Sequence, residues 1–154
     1  MQKLLLLFLL LFLSACQSTR ASHSGYQSDD DMEELTEYAL SLSGTPYKYG
    51  GTSPDSGFDC SGFVGHVYRQ KLGKSLPRSS REISRIGVAL KPDALRPGDL
   101  VFYNTLNKSY SHVGIYLGDE QFIHSPSSGK SVSIVNMKET YWRKRYNGAR
   151  RIRP

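Results

Sequence analysis

Cys60 is one of two cysteines in the chain of 154 residues, and it lies in the segment GFDCSGF, between an acidic residue and Ser-Gly. A cysteine in this setting is a buried structural thiol, half of a disulfide, a metal ligand or a nucleophile. Residues 59–73 are expected to form a helix with Cys60 in its first turn, where backbone N–H groups and the helix dipole favour a thiolate. Because the thiolate is the strong nucleophile, this position is compatible with covalent acyl transfer.

Acyl transfer by a thiol also needs a base, and the chain has four histidines. His23 falls in a polar N-terminal stretch, where we expect it to be solvated. His66 lies on the same predicted helix as Cys60 but points about 120° away, so we interpret it as a surface or packing residue. His112 and His124 remain as candidates, since each falls on a predicted strand.

The turn between those two strands decides whether His112 and His124 can act together. Side chains alternate between the faces of a sheet along each strand. A two-residue turn at Gly118 and Asp119 would place the two histidines on opposite faces, whereas a three-residue turn at 117–119 would pair them on one face. The catalytic interpretation therefore predicts a turn of odd length or a β-bulge, and two unrelated strand histidines remain the alternative.

Hydrophobic periodicity predicts the elements that position these residues. Leu35, Ala39 and Leu42 recur at helical spacing after three aspartates, which predicts a first helix ending at Gly44. A short helix is predicted at residues 80–86, and strands are predicted in the segments LVFYN, SHVGIYLG, QFIHS and VSIVNM. Two helices followed by a run of antiparallel strands favour an α+β fold.

The N-terminal segment MQKLLLLFLLLFLSAC predicts export. Its apolar run is too short to span a bilayer and is typical of a signal-peptide core. Its ending, LSAC, resembles the bacterial lipobox, which implies cleavage before Cys16 and lipid attachment to that residue; a plain signal peptide is the alternative. Gln17 as second residue of the mature chain implies the outer membrane of a Gram-negative envelope. We therefore expect a signal peptide at 1–15, a lipid-anchored flexible tether at 16–30 and one folded domain at 31–154.

Composition and charge narrow the possible partners. Hydrophobic residues make up 38% of the chain and charged residues 22%, a balance that suits one globular domain. The net charge of +6 favours nucleic acid, anionic lipid or cell-wall polymer as partners. Export argues against nucleic acid and places the chain where disulfides can form. With Cys16 lipidated, Cys60 has no cysteine partner in the chain, and such a lone thiol indicates reactivity.

Several short segments occur along the chain in an order that resembles one family. They are GTPYKYGG, DCSGF, LPRSS, RPGDLVFY, HVGIY, QFIHS and YWRKRYNGARRI. From about Leu35 to the C-terminus they resemble the NlpC-type family of cell-wall cysteine peptidases. The resemblance implies a papain-like α+β fold, with N-terminal helices packed on a central antiparallel sheet, and no cofactor. It also implies hydrolysis of an amide bond in murein stem peptides or cross-links through a thioester acyl-enzyme.

The resemblance also implies roles for individual residues. Cys60 is expected to be the nucleophile, His112 the general base and later the acid, and His124 the residue that orients His112. The hydroxyl of Tyr47 is expected to form an oxyanion hole with the backbone N–H of Cys60. Substrate contacts are expected from Asp59, Ser61, Arg78 and Ser80.

Two other functions fit parts of the same pattern. A catalytically silent cell-wall-binding lipoprotein would keep the fold without the reaction. Cys60, His112 and His124 are also zinc-ligand types, but no paired CxxC or HxxH element accompanies them, and we expect no metal. The expected partners are murein stem peptides and, through the lipid, a membrane; the sequence identifies no adaptor protein. Trp142 and Tyr146 are expected to pack, and the basic C-terminal run either faces solvent or holds acidic stem peptides.

Overall fold

The computed structural model describes residues 29–127 and 129–152. Its helices are α1 (Asp29–Ser41), α2 (Cys60–Leu72), α3 (Ser80–Ile83) and α4 (Thr140–Arg143), with a 3-10 turn at Pro92–Ala94. Its strands are β1 (Thr52–Ser53), β2 (Gly57–Phe58), β3 (Val88–Leu90), β4 (Leu100–Tyr103), β5 (His112–Gly118), β6 (Gln121–His124), β7 (Ser133–Asn136) and β8 (Tyr146–Arg151). Two N-terminal helices followed by antiparallel strands confirm the predicted α+β class.

Helix α2 lies where the sequence predicts it and is capped at both ends, whereas α1 ends at Ser41, three residues before the predicted Gly44. Asp59 is the N-cap of α2, and its carboxylate accepts a hydrogen bond from the backbone N–H of Gly62 at 2.7 Å. Gly73 closes the same helix in the left-handed conformation, at a φ of 63°. Helix α1 begins at Asp29, so the last two residues of the predicted tether are helical, because acidic residues stabilise a first turn. Helix α3 ends at Ile83, three residues before the predicted end.

Six strands form one antiparallel sheet in the order β3-β8-β4-β5-β6-β7. Strands β4 to β7 coincide with the predicted segments. Strand β8 was not predicted, because its sequence YNGARR is too polar to give an apolar alternation, yet it lies between β3 and β4. Its arginines are satisfied: Arg151 pairs with the buried Asp99, and Arg150 donates to the carbonyl of Ser84 at 2.6 Å.

Each face of the sheet has its own core. On the first face, α1 and α2 pack Leu35, Phe63 and Val67 against Val113 and Ile115, and the partly buried Cys60 packs against this cluster. The second face is covered in part by Trp142 of α4. Its cluster consists of Val101, Tyr103, Tyr116, Phe122, Trp142 and Ala149. The sheet is therefore the middle layer of the domain, with helix α2 on one side and Trp142 on the other.

The predicted signal peptide, Cys16 and most of the predicted tether lie outside the described residues. Within residues 29–127 and 129–152, no helix has the length and apolar character needed to cross a bilayer.

Candidate active site

The loop that carries Tyr47 approaches the first turn of α2, which contains Cys60, closely. Glycine at positions 51 and 62 makes this approach possible. A Cβ at Gly62 would lie 2.0 Å from the backbone oxygen of Gly51. That oxygen accepts a hydrogen bond from the N–H of Asp59 at 3.2 Å. The loop that carries Tyr47 is thereby held against the start of the helix that carries Cys60.

The Cys60 thiol is protonated at neutral pH. Burial, and then the negative charge of Asp59, raise its pKa to about 11. The backbone N–H groups of Val113, Ser61 and Cys60 act in the opposite direction but do not outweigh burial. The backbone N–H groups thus favour the thiolate as expected, but burial outweighs them, and the thiol needs a base to become nucleophilic. Val113 directly follows His112, so its contact places the thiol beside the start of β5.

The hairpin between β5 and β6 contains the irregularity that the catalytic interpretation requires. Tyr116 pairs with Phe122, but Gly118 pairs with Gln121. Leu117 is therefore an extra residue on β5, a β-bulge, which precedes a two-residue turn. The sequence alone left this choice open.

The bulge puts His112 and His124 on the same face of the sheet. Beyond it, Ile115 pairs with Ile123, and continuing this register places Gly114 opposite His124. His112 lies two residues before Gly114, hence on the same face. The two histidines form a diagonal pair rather than a directly opposed one, and the predicted parity is confirmed.

His112 and His124 are in direct hydrogen-bond contact. His112 Nε2 lies 2.7 Å from His124 Nδ1, with the two rings nearly perpendicular at 89°. This contact leaves Nδ1 of His112 as the nitrogen that can take the thiol proton. In that tautomer Nε2 of His112 carries the hydrogen and donates it to His124.

Both histidines are neutral at neutral pH. They are 3% and 1% exposed, respectively, and burial lowers the pKa of each. Nearby His112 and Lys130 lower the pKa of His124 further. Trp142 lies against the pair, with its ring 28° from the plane of His112 and perpendicular to His124. A neutral, fixed imidazole is the form that a general base requires.

Tyr47 lies on the wall of the same cleft as Cys60. Its backbone N–H donates to the carbonyl of Lys130 at 2.8 Å, which fixes the chain at this point. Burial, and then the charges of Asp59 and Cys60, raise the pKa of its hydroxyl. The hydroxyl therefore keeps its proton and can donate to a developing oxyanion, as the predicted role requires.

Asp59, Ser61 and Arg78 form one network behind the nucleophile. Arg78 Nη1 and Nη2 donate to the two carboxylate oxygens of Asp59 at 3.0 and 2.5 Å, and Nη1 also donates to Ser61 Oγ at 2.9 Å. Burial acts to raise the pKa of Asp59, but hydrogen bonds from Arg78, Gly62 and Gly50 and the charge of Arg78 hold that pKa below its usual range. Asp59 is thus a carboxylate that caps α2.

The cleft has a volume of about 550 Å³ and contains Tyr47, Cys60, His112 and His124 together. None of the four predicted substrate contacts lines it within the described part of the chain. Ser80 is 6% exposed and donates to the carbonyl of Tyr110. The substrate roles of these four residues stay predictions.

Other cleft residues were missed from the sequence or understood only in part. Trp142 packs, as predicted, but it also lines the cleft, as do Lys130, Ser133, Val135 and Glu139. The signal available was that Lys130 and Glu139 flank the strand that pairs with the His124 strand. Among the described residues, no three His, Cys, Asp or Glu side chains converge as metal ligands would, so the metal-binding alternative lacks a donor set there.

The model of the NlpC/P60 family matches residues 44–151, which include every predicted catalytic residue. The chain belongs to the NlpC/P60 family. The probable endopeptidase NlpC of Escherichia coli K12 is 38% identical over 152 residues, covering 96% of this chain and 97% of that protein. The murein DD-endopeptidase/LD-carboxypeptidase MepS of E. coli K12 is 45% identical over 109 residues, covering 71% of this chain and 56% of MepS. The chain thus spans about half the length of several curated relatives that it matches.

A solved structure from the NlpC/P60 family confirms the papain-like architecture. The crystal structure of a family member from Bacillus cereus ATCC 10987 superposes with a TM-score of 0.75 at 37% identity. The superposition covers 84% of this chain and 41% of that one.

Proposed function

We propose that this chain is a peptidoglycan hydrolase, a cysteine endopeptidase that cleaves an amide bond in murein stem peptides or cross-links. The observation that carries the proposal is the 2.7 Å contact between the buried His112 and His124, in one cleft with Cys60 at a helix start. Relatives named as murein endopeptidases, such as MepS, supply the substrate class.

The reaction begins with transfer of the Cys60 thiol proton to Nδ1 of His112. The sulfur attacks the substrate carbonyl, and the oxyanion that forms accepts hydrogen bonds from the Tyr47 hydroxyl and the backbone N–H of Cys60. His112 then returns the proton to the leaving amine, which departs and leaves a thioester on Cys60. A water molecule, deprotonated by His112, hydrolyses the thioester and restores the thiol.

His124 holds His112 in the orientation and tautomer that this sequence of proton transfers needs. When His112 becomes an imidazolium, its Nε2–H still points at Nδ1 of His124, which remains an acceptor. Because both rings are buried, no water competes for this hydrogen bond.

The decisive experiment incubates the full chain, purified in detergent, with intact murein and with isolated muropeptides, and separates the products by mass. New fragments that are absent with Cys60→Ser would support the peptidase, and their masses would identify the bond. If neither protein yields fragments and both bind murein tightly, the silent wall-binding function replaces this proposal.

We also propose that the chain is a lipoprotein of the bacterial envelope, anchored through Cys16 at the outer membrane and facing the periplasm. The support is the LSAC segment after the apolar run, together with Gln17. Labelling cells with a palmitate analogue should mark the parent chain and not Cys16→Ser. Parental labelling of Cys16→Ser, or equal release of both from membranes by washing, would contradict the anchor.

A further inference from the structure

The catalytic cleft carries one cationic and one anionic side chain in addition to its reacting groups. Among the described residues that line it, these are Lys130 and Glu139. We propose that Lys130 binds a carboxylate of the substrate and Glu139 binds an ammonium group, so that the cleft selects zwitterionic stem peptides. The inference rests on the proposed peptidase function and extends it to substrate selection.

Lys130 and Glu139 flank β7, the strand that contributes Ser133 and Val135 to the cleft lining. Lys130 precedes β7 in the chain, and Glu139 follows it. Ser133 and Val135 are two residues apart on β7, so their side chains lie on the same face of the sheet, and both line the cleft. Because four residues of a strand span roughly 10 Å, a ligand must be extended to reach both charges at once. A peptide lying along the cleft has that shape.

Neither charge is engaged by another described residue. The ion pairs in the described part of the chain are Lys71–Glu34, Arg78–Asp59, Lys138–Glu120 and Arg151–Asp99. Lys130 and Glu139 belong to none of them, and both residues are exposed. Lys138, which adjoins Glu139 in sequence, is paired with Glu120 and lies outside the cleft lining. Both side chains are therefore available to form ion pairs with charged groups of a bound ligand.

Lys130 is connected to the catalytic groups on both sides. Its carbonyl accepts the Tyr47 N–H at 2.8 Å, so its backbone is fixed against the oxyanion-hole residue. Lys130 and His124 line the same cleft, and after burial and His112 the positive charge of Lys130 also lowers the pKa of His124. A substrate carboxylate bound by Lys130 would therefore lie close to the reacting centre.

The chemistry of murein stem peptides matches this arrangement. A γ-linked glutamate carries a free α-carboxylate, and a diamino acid carries a free amine unless a cross-link has converted that amine to an amide. Glu139 would favour the free amine, and Lys130 would favour the free carboxylate over an amidated one. Charge-assisted hydrogen bonds of this kind discriminate more strongly than neutral ones.

The test uses synthetic muropeptides that differ in a single group: carboxylate free or amidated, and amine free or acetylated. The full chain and the variants Lys130→Met and Glu139→Gln are compared for kcat and KM. The parent should show a KM about tenfold lower for each free form, the size expected for one lost charge-assisted contact. Lys130→Met should lose only the carboxylate preference and Glu139→Gln only the amine preference, each seen as a rise in KM for the corresponding free form.

Matched controls separate this effect from a change in net charge. Lys138→Met and Glu120→Gln remove the same charges outside the cleft and should keep both preferences. Melting temperatures should change little in all four variants, because Lys130, Lys138 and Glu139 are exposed and the Lys138–Glu120 ion pair lies at the surface.

The affinities of the same peptides are also measured for the Cys60→Ala chain, with and without Lys130→Met or Glu139→Gln. Hydrolysis does not contribute to these measurements. If Lys130→Met and Glu139→Gln keep the parental preferences while the parent hydrolyses muropeptides, the inference is wrong and the proposed function stands. If the parent hydrolyses none of them and its Cys60→Ala form shows no preference, both fail.

Discussion

At Cys60, burial and the Asp59 carboxylate outweigh the backbone N–H groups of the helix start, and the thiol keeps its proton. Burial likewise keeps His112 and His124 neutral. The resting site therefore consists of a neutral thiol and neutral imidazoles rather than a thiolate–imidazolium pair. Hydrogen-bond donors at the oxyanion would then stabilise the charge that develops as the sulfur attacks a substrate carbonyl.

Substitution of the residues proposed as catalytic should lower kcat/KM by different amounts, according to the role of each residue. Cys60→Ser and His112→Ala should each lower kcat/KM by about 10⁴-fold or more, because each removes a group that forms or breaks bonds. His124→Ala should cost less, because His124 orients rather than transfers the proton. His124→Asn should recover part of that loss, since an amide oxygen also accepts from His112 Nε2. Steady-state kinetics on one muropeptide would measure all four.

Equal activity in His124→Ala and His124→Asn would contradict the orienting role. Parental activity in Cys60→Ser would overturn the assignment of the nucleophile.

The pH dependence of activity should reflect the buried histidines. Since burial lowers their pKa below the ordinary value of 6.5, His112 remains a neutral base in mild acid. The acid limb of kcat/KM should therefore lie below pH 6.5, and a limb above that value would contradict the burial argument.

The free energy of unfolding should decrease as the pH falls below neutral, because burial lowers the pKa of both histidines. The unfolded chain binds protons near pH 6.5 and the folded chain only at lower pH, so stability is full above 6.5 and decreases as the pH falls. Urea unfolding between about pH 7 and pH 5 would show this loss. The decrease should be shallower in His124→Asn, which has one buried histidine fewer.

The residues proposed to react could be singled out from the sequence because their types are chemically distinctive. Cys60 precedes a helical pattern, and His112 and His124 fall on two recognisable strands. Lys130 and Glu139 were not predictable, since each lies in a connection without periodicity and a surface charge is the ordinary expectation there. Their position in the cleft depends on how β7 and α4 pack.

At the scale of elements, the contact between α2 and the Tyr47 loop depends on glycine. Gly62→Ala places a methyl group on the carbonyl oxygen of Gly51, so it should destabilise the fold by about 1–3 kcal/mol and lower kcat/KM by displacing Tyr47. Gly65→Ala is the matched control on the same helix, because nothing lies within 4 Å of its Cβ position. That substitution should stabilise the fold by about 0.5–1 kcal/mol. Chemical denaturation and kinetics of both variants would measure the difference, and equal effects would contradict the close approach.

The elements themselves were recognised where their patterns were strong. Helix α2 has a capping aspartate and a closing glycine, and β4 to β6 are rich in apolar β-branched and aromatic residues. Strand β8 and the four-residue α4 were missed, because a polar strand stabilised by arginine pairs and one short helical turn leave no periodic signal. The bulge at Leu117 was predicted only as a condition of function, since local sequence did not choose between the possible turns.

At the scale of the whole molecule, an ion pair joins the partly exposed Arg151 of strand β8 to the buried Asp99. Arg151 Nε and Nη2 donate to the carboxylate of Asp99 at 2.8 and 2.7 Å, and Asp99 is 3% exposed. Arg151→Met leaves a buried carboxylate without its cation and should cost about 3–5 kcal/mol. Arg150→Met loses one hydrogen bond to the carbonyl of Ser84 and should cost about 1 kcal/mol.

Urea unfolding of both variants would measure these costs. Neither arginine lines the catalytic cleft, so kcat of the folded variants should match the parent. An Arg151→Met variant as stable as Arg150→Met would contradict the importance of the buried pair.

The proposed nucleophile and its proposed base come from different layers of the molecule. Cys60 packs with the helical core on one face of the sheet, whereas His112 and His124 lie with Trp142 on the other. A chain in which only one layer has assembled therefore possesses a thiol or a base, but not both together. In the proposed peptidase, hydrolysis would begin only after both layers have assembled, so its appearance during refolding would time the last step of assembly.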